Sequence, residues 1–102
     1  MIALIEQHRR RLEELCRAHH VKTLELFGSA ADGTFDSGRS DLDFLVDFLP
    51  AAAGRIFHGY FDFKDALEAL FGRKVDLVMP GAIRNPYLVQ AVNSQRTMFY
   101  PA

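Results

Sequence analysis

The stretch "LFGSAADGTFDSGRSDLDFLVDF", residues 26–48, decides how this chain is read. From Asp41 to Phe48 apolar and polar residues alternate. Leu42, Phe44, Val46 and Phe48 point one way, into a core, while Asp41, Asp43, Leu45 and Asp47 point the other. That two-residue period is the signature of a strand. Upstream, "VKTLELF" (21–27) has the same period, with Val21, Thr23, Glu25 and Phe27 set against Lys22, Leu24 and Leu26. Gly28-Ser29 closes that first strand. The loop to Ser40 is built from chain breakers: Asp32, Gly33, Asp36, Ser37 and Gly38. Ser29-Ala30-Ala31 can open a short helical turn whose first peptide N–H groups have no partner within it.

On the N-terminal side, residues 2–19 read as one amphipathic helix, with Ile5, Leu12, Leu15, Cys16 and His19 at helical spacing. Its Arg9-Arg10-Arg11 run is read first as a solvated face, with a partner or phosphate patch as the alternative. On the C-terminal side, Pro50 ends the second strand. "AAAGRIFHGYF" (51–61) is ambiguous, because its two glycines argue against a continuous helix, and its aromatics suit a core or a partner surface equally. From Asp62 to Phe71 the pattern is helical, with Phe63, Leu67, Leu70 and Phe71 on the buried stripe and Gly72 as the residue just beyond the helix. "KVDLVM" (74–79) is a short strand stopped by Pro80. In it Val75 and Leu77 face one side, Asp76 and Val78 the other. Asn85-Pro86 predicts a further helix start, and "TMFY" (97–100) a last strand. The order is helix, strand, strand, helix, strand, helix, strand. It implies an α/β (α+β) fold, a small mixed sheet with helices packed on it.

A chain of 102 residues is expected to form a single domain, residues 1–102, with a real hydrophobic core. Twelve basic residues against thirteen acidic ones leave a net charge of −1, which gives no reason to expect direct nucleic-acid binding. One cysteine, Cys16, excludes an intrachain disulfide and a multi-cysteine zinc site. No apolar run reaches membrane-spanning length and the N-terminus has no signal-peptide core, so no membrane association and a cytoplasmic location are expected.

The chemistry rests on three carboxylates. Asp41 and Asp43 share one face of a strand, roughly 6.6 Å apart along it at about 3.3 Å per residue. Carboxylates converging from that spacing repel unless a cation lies between them. A hard divalent ion such as Mg²⁺ suits oxygen ligands and leaves room for substrate phosphates. Asp76 can reach the same face if its strand lies beside that of Asp41 and Asp43. Three acids on two neighbouring strands make a two-metal site of the kind used for in-line nucleotidyl displacement. Taken alone, Asp41 and Asp43 are equally well read as a solvent-facing strand end, and Asp76 is more readily read as a strand-edge gatekeeper than as a ligand; the case comes from their conjunction. Gly28-Ser29 adds the other half. A glycine at a strand end lets backbone approach a phosphate without a Cβ in the way, and the peptide N–H groups and Ser29 hydroxyl that follow bind anionic oxygens.

The motifs "LFGS" (26–29), "SDLDFLV" (40–46) and "VDLV" (75–78) resemble those of the nucleotidyltransferase superfamily that includes DNA polymerase beta, and the short length resembles its minimal nucleotidyltransferase (MNT) family. The likeness runs from the first helix through Val78 and is looser beyond. It implies that Gly28, Ser29 and Ser40 bind the nucleotide, and that Asp41, Asp43 and Asp76 bind two Mg²⁺ ions and carry the catalysis, with ATP as substrate. It also implies a partner, since MNT proteins pair with helical HEPN toxins and act as antitoxins by adding AMP to a tyrosine. One departure stands out. Family members often read "GSRARG" where this chain reads "GSAADG". Ala30, Ala31 and Asp32 remove the basic residues expected there, and Arg39 is a candidate replacement.

Two functions follow. The first is Mg²⁺-dependent transfer of AMP from ATP to a hydroxyl of a partner HEPN toxin. The second is a non-catalytic antitoxin that neutralises its partner by binding, as the loss of those basic residues suggests. Transfer to a small molecule is disfavoured, since little chain is left for an acceptor domain. Homo-oligomerisation stays open.

Overall fold

A computed structural model describes residues 2–28, 42–50, 56–79 and 96–101. Within them the order is α1 (Ala3–Gln7), α2 (Arg9–Ala18), β1 (Val21–Phe27), β2 (Leu42–Phe48), α3 (Ile56–Phe71), β3 (Val75–Val78) and β4 (Arg96–Tyr100). The strands form one sheet in the order β3-β2-β1-β4. β1 pairs antiparallel with β2 and with β4, while β2 and β3 run parallel. A parallel pair needs a long crossover, and α3 lies within it. The mixed sheet with helices is therefore as the residue pattern implies. The helix expected from Asn85 lies outside the described residues.

The helices cover one face. Ile5, Leu12, Leu15 and Cys16 from α1 and α2 and Phe63, Leu67 and Phe71 from α3 form one buried cluster. They pack with Leu24, Leu26, Leu42, Phe44, Val46, Val75, Leu77 and Phe99 from the sheet. The opposite face carries a smaller apolar group, Phe27 and Leu45 with Val78 against them. The alternation in β2 and β3 thus sorts side chains between faces as the sequence predicts. In β1 it holds for Leu24 and Leu26 against Glu25 and Phe27 and fails at Val21, because the register with β2 slips between Val21 and Thr23. That irregularity brings Val21 onto the helix face together with Leu24 and Leu26, although its parity is opposite to theirs.

Two helices differ from the sequence expectation. The helix of residues 2–19 is broken at His8, whose backbone (φ −112°, ψ 11°) leaves the helical region. Its N–H bonds to the Ile5 carbonyl (3.1 Å), and its Nδ1 takes up the Leu4 carbonyl (2.9 Å) that a continuous helix would have given to that N–H. The chain resumes with Leu12 N–H on the His8 carbonyl (2.9 Å). In α3 the helix runs through Gly59 back to Ile56, so tertiary packing overrides the modest propensity cost of one glycine. Gly72 ends it at φ +64°, with its N–H on the Glu68 carbonyl (2.8 Å). Of the aromatics in doubt, Tyr60 packs against the core and Phe61 is exposed.

The arginine run proves to be more than a solvated face at Arg9. Its guanidinium pairs with Glu6 (2.7 Å) and lies 5.0 Å over the Phe99 ring, tying α2 to β4. Arg11 pairs with Glu14 (3.1 Å) in the open. No described helix is long and apolar enough to cross a membrane.

His19 sits at the end of α2 with its ring 5.4 Å from that of Phe63. Burial lowers its pKa below the ordinary histidine value, against a raising effect of Asp62 and with a further lowering by His20. The unfolded chain therefore takes up this proton near pH 6.5 and the folded chain only at lower pH. Stability is full above that range and falls as the pH drops through it. Thermal melting from pH 7 to 5.5 should show a drop in melting temperature that is smaller in His19→Gln than in the parent chain.

Candidate functional site

The site lies on the sheet face away from the helices. β2 and β3 pair in parallel with Asp43 directly beside Asp76, flanked by the pairs Leu42–Val75, Phe44–Leu77 and Leu45–Val78. Paired residues on adjacent strands share a face and sit about 4.8 Å apart. Asp43 is half-buried and Asp76 exposed. On the other side of β2, Asp43 is opposite Phe27 of β1. Phe27 is opposite Arg96 of β4 in turn, so Asp76, Asp43, Phe27 and Arg96 form one row across all four strands.

Gly28, just past Phe27, has a backbone φ of +63°. A Cβ placed there would lie 2.5 Å from the Asp43 Oδ2. Glycine is needed twice over: for the left-handed backbone and for the room that the carboxylate occupies. The sequence points to a close approach at this residue, and the described neighbour making it is Asp43. Ser29, Ser40 and Asp41 lie outside the described residues.

Asp76 rides on the sheet's edge strand among the described residues, and two side chains of α3 hold that strand. The Glu68 carboxylate accepts the Val75 N–H (3.0 Å), and the Tyr60 hydroxyl donates to the Leu77 carbonyl. These groups flank Asp76 and are taken up by α3 side chains, on the side of β3 where no strand is present among the described residues. Fastening both fixes the twist and height of β3, and with them the direction of the Asp76 side chain. Residue-level reading of the sequence missed Tyr60 and Glu68. The available signal was their spacing on α3, eight residues apart and so on one helix face, directed toward the next strand.

Glu25 is the buried charged residue among those described, 8 % exposed, on the same sheet face. Its carboxylate pairs with the Arg96 guanidinium. The pair is diagonal, since Glu25 itself stands opposite Met98.

Two carboxylates abreast at strand spacing repel, and a shared cation relieves that repulsion. The donor set fits a hard divalent ion such as Mg²⁺. Among the described residues no group of three metal-ligating side chains is present, Asp41 being outside them.

Two outcomes follow from this geometry. Gly28→Ala should cost at least about 1–2 kcal/mol of stability from the left-handed backbone alone, with the Asp43 contact adding to it; denaturant melts against the parent chain measure it. Glu68→Gln combined with Tyr60→Phe should raise amide hydrogen exchange at β3 selectively, leaving β1 protected, because both anchors of the edge strand are weakened without emptying the core.

The comparisons agree with this arrangement. Residues 5–97 match the family model described as "Nucleotidyltransferase domain". A protein of Methanocaldococcus jannaschii, whose name carries a provisional assignment as a protein adenylyltransferase, is 35% identical over 89 residues, covering 87% of this chain and 84% of the relative. A solved structure assigned provisionally as a minimal nucleotidyltransferase superposes with a TM-score of 0.74 at 32% identity, covering 94% of this chain and 95% of the other. The same fold recurs, with a TM-score of 0.61 at 20% identity over 95% of this chain and 72% of the other, in a structure of a tri-AMPylated Shewanella oneidensis HEPN toxin in complex with its MNT antitoxin. The match extends past Val78 to Thr97, farther than the motifs alone reach, and with a four-stranded sheet that aligns Asp43 with Asp76 it leads to one conclusion: the chain belongs to the nucleotidyltransferase family, in its minimal form.

Proposed function

We propose that this nucleotidyltransferase moves AMP from ATP to a hydroxyl, a tyrosine's, on a partner toxin of the HEPN type, and that this modification is its antitoxin activity. The observation that carries the reading is the register: Asp43 and Asp76 lie side by side on adjacent strands, with Gly28 bent at φ +63° against Asp43. Support comes from the adenylyltransferase assignment of the Methanocaldococcus relative and from the AMP-bearing toxin paired with an MNT protein in the Shewanella structure. Residues 1–102 act as one domain in this reading, in the cytoplasm.

In the proposed site Asp41, Asp43 and Asp76 would hold two Mg²⁺ ions. When bound, the ions neutralise phosphate charge and polarise the phosphoryl oxygen. Gly28, Ser29 and Ser40 receive the triphosphate and fix the α-phosphorus in line with the incoming hydroxyl. The hydroxyl oxygen bonds to the α-phosphorus as the bond from that phosphorus to the bridging oxygen breaks. Pyrophosphate leaves with that oxygen. Asp76, the more exposed of the two described acids, accepts the proton lost by the hydroxyl.

A non-catalytic antitoxin is the second reading, favoured by one observation. From Thr23 to Gly38 the chain has no Lys or Arg, so the turn after Gly28 lacks the basic residues that family members often carry there, and the candidate replacement, Arg39, lies outside the described residues. The two readings separate in one experiment. The chain is incubated with Mg²⁺, labelled ATP and the HEPN-type protein encoded beside it, and then repeated as Asp43→Asn and as Asp76→Asn. The enzyme reading expects labelled partner with the parent chain and a rate lower by about 10²–10³ in each variant. No label on the partner, with the complex formed equally by parent and variants, leaves only the binding role.

A further inference from the structure

Asp43 and Asp76 are confined by different neighbours. The Asp43 carboxylate lies against the backbone of Gly28, where a Cβ would come within 2.5 Å of its Oδ2. Asp76 stands on β3, a strand of four residues that is the outer one of the sheet among the described residues. A strand so short, paired on one side, shifts or frays unless something else holds it. Here α3 holds it at both neighbours of Asp76, through Glu68 on the Val75 N–H and Tyr60 on the Leu77 carbonyl. The helix is itself fixed in the core by Phe63, Leu67 and Phe71, and Tyr60 packs against the same cluster. The place of Asp76 is therefore set by the core as well as by β2.

We propose that Glu68 and Tyr60 determine which ion the site prefers: as positioning residues they fix the gap between Asp43 and Asp76, and so favour Mg²⁺ over the larger Ca²⁺. This rests on the cation reading of the two acids given above. Mg²⁺ demands oxygen ligands at about 2.0–2.1 Å in near-ideal octahedral geometry, whereas Ca²⁺ takes about six to eight at about 2.3–2.6 Å in looser arrangements. Selection between them lies in the size and stiffness of the site. Adjacent strands set the two backbones about 4.8 Å apart, and the side chains close the rest. A gap whose walls cannot retreat suits the small ion and penalises one that needs longer bonds and more ligands. Gly28 limits the Asp43 wall, and α3 limits the Asp76 wall. In this role neither α3 side chain touches the ion; both act through the backbone of β3. Residues at that remove from a metal change its affinity by about 10–100-fold. The charge of Glu68 attracts either divalent ion alike, so its effect on preference comes from the hydrogen bond to Val75.

The test is displacement of Mn²⁺ from the whole chain by Mg²⁺ and by Ca²⁺, without nucleotide, followed by electron paramagnetic resonance. Only the Mn²⁺ that Asp76→Asn fails to hold is counted. Thermal melting and amide exchange at β3 are measured in parallel. Tyr60→Phe/Glu68→Met removes both anchors and keeps the ring and the aliphatic stem. In it the ratio of Mg²⁺ to Ca²⁺ affinity should fall roughly tenfold. Glu68→Gln loses the charge as Glu68→Met does, but keeps an oxygen acceptor for the Val75 N–H. It should stay near the parent ratio where Glu68→Met does not. Lower stability alone reduces the amount of folded chain and leaves this ratio unmoved, so the readout separates positioning from folding. If β3 exchanges faster in the double variant while the ratio holds at the parent value, the gap does not select the ion and the proposal is overturned. Equal falls in Glu68→Gln and Glu68→Met would assign the effect to charge and overturn it too. Should the double variant fail to fold, the same ratio is read in Tyr60→Phe and Glu68→Met singly, with a smaller fall expected in each and no fall in either overturning the proposal. A parent chain that holds no Mn²⁺ overturns the cation reading first and this proposal with it, so the two failures are told apart by the parent alone.

Discussion

The parallel pairing of β2 with β3 is the constraint on which the rest depends. It is the one contact that brings Asp43 and Asp76, thirty-three positions apart in the chain, abreast on one face. A slip of one residue would turn Asp76 to the helix side and bring Val75 or Leu77 out of the core, so the register is held by burial of the apolar partners as well as by backbone bonds. The core on one face and the acids on the other are thus two consequences of the same alignment. Gly28 closes the arrangement from the third strand, because no other residue could take its backbone angle and still leave Asp43 its place.

An edge strand gives its carboxylate only as much precision as its free side allows. Glu68 and Tyr60 reach from α3 to the Val75 N–H and the Leu77 carbonyl, the groups to either side of Asp76. Because α3 is also the crossover between β2 and β3, the helix that makes the parallel pair possible is the one that secures its outer strand. At the opposite end of the row, Arg9 over the Phe99 ring and Arg96 on Glu25 fasten β4 from both faces. The sheet's two outer strands are therefore held by side chains, and the inner two by each other.

Much of this was legible in the residues. Period-two alternation in "DLDFLVDF" and "KVDLVM" sorted Asp43, Leu45, Asp76 and Val78 away from Leu42, Phe44, Val75 and Leu77, because both strands bury one apolar row and nothing disturbs their pleat. Gly72 was readable as a helix end for the same local reason. The misses have physical causes. At His8 a side-chain ring competes for a carbonyl, and hydrophobic spacing does not register that contest. At Val21 a bulge exchanges the two faces, which alternation cannot anticipate. At Gly59 packing of Tyr60 and Phe63 carries the helix through a residue that local propensity disfavours. The positioning pair Glu68 and Tyr60 and the ion pair of Glu25 with Arg96 join residues 7, 17 and 71 positions apart, which only the fold brings together.

The central claim is that Asp43 and Asp76 act as one cation site. The most direct measurement of it is Mn²⁺ binding, followed by electron paramagnetic resonance as a stand-in for Mg²⁺, on the parent chain, Asp43→Asn and Asp76→Asn, with no nucleotide present. The account predicts saturable binding by the parent and a loss of affinity of similar size in either variant, since each removes one half of a shared site. Affinity that falls in Asp43→Asn and stays at the parent value in Asp76→Asn would contradict it, leaving the alignment of β2 and β3 without the role assigned to it.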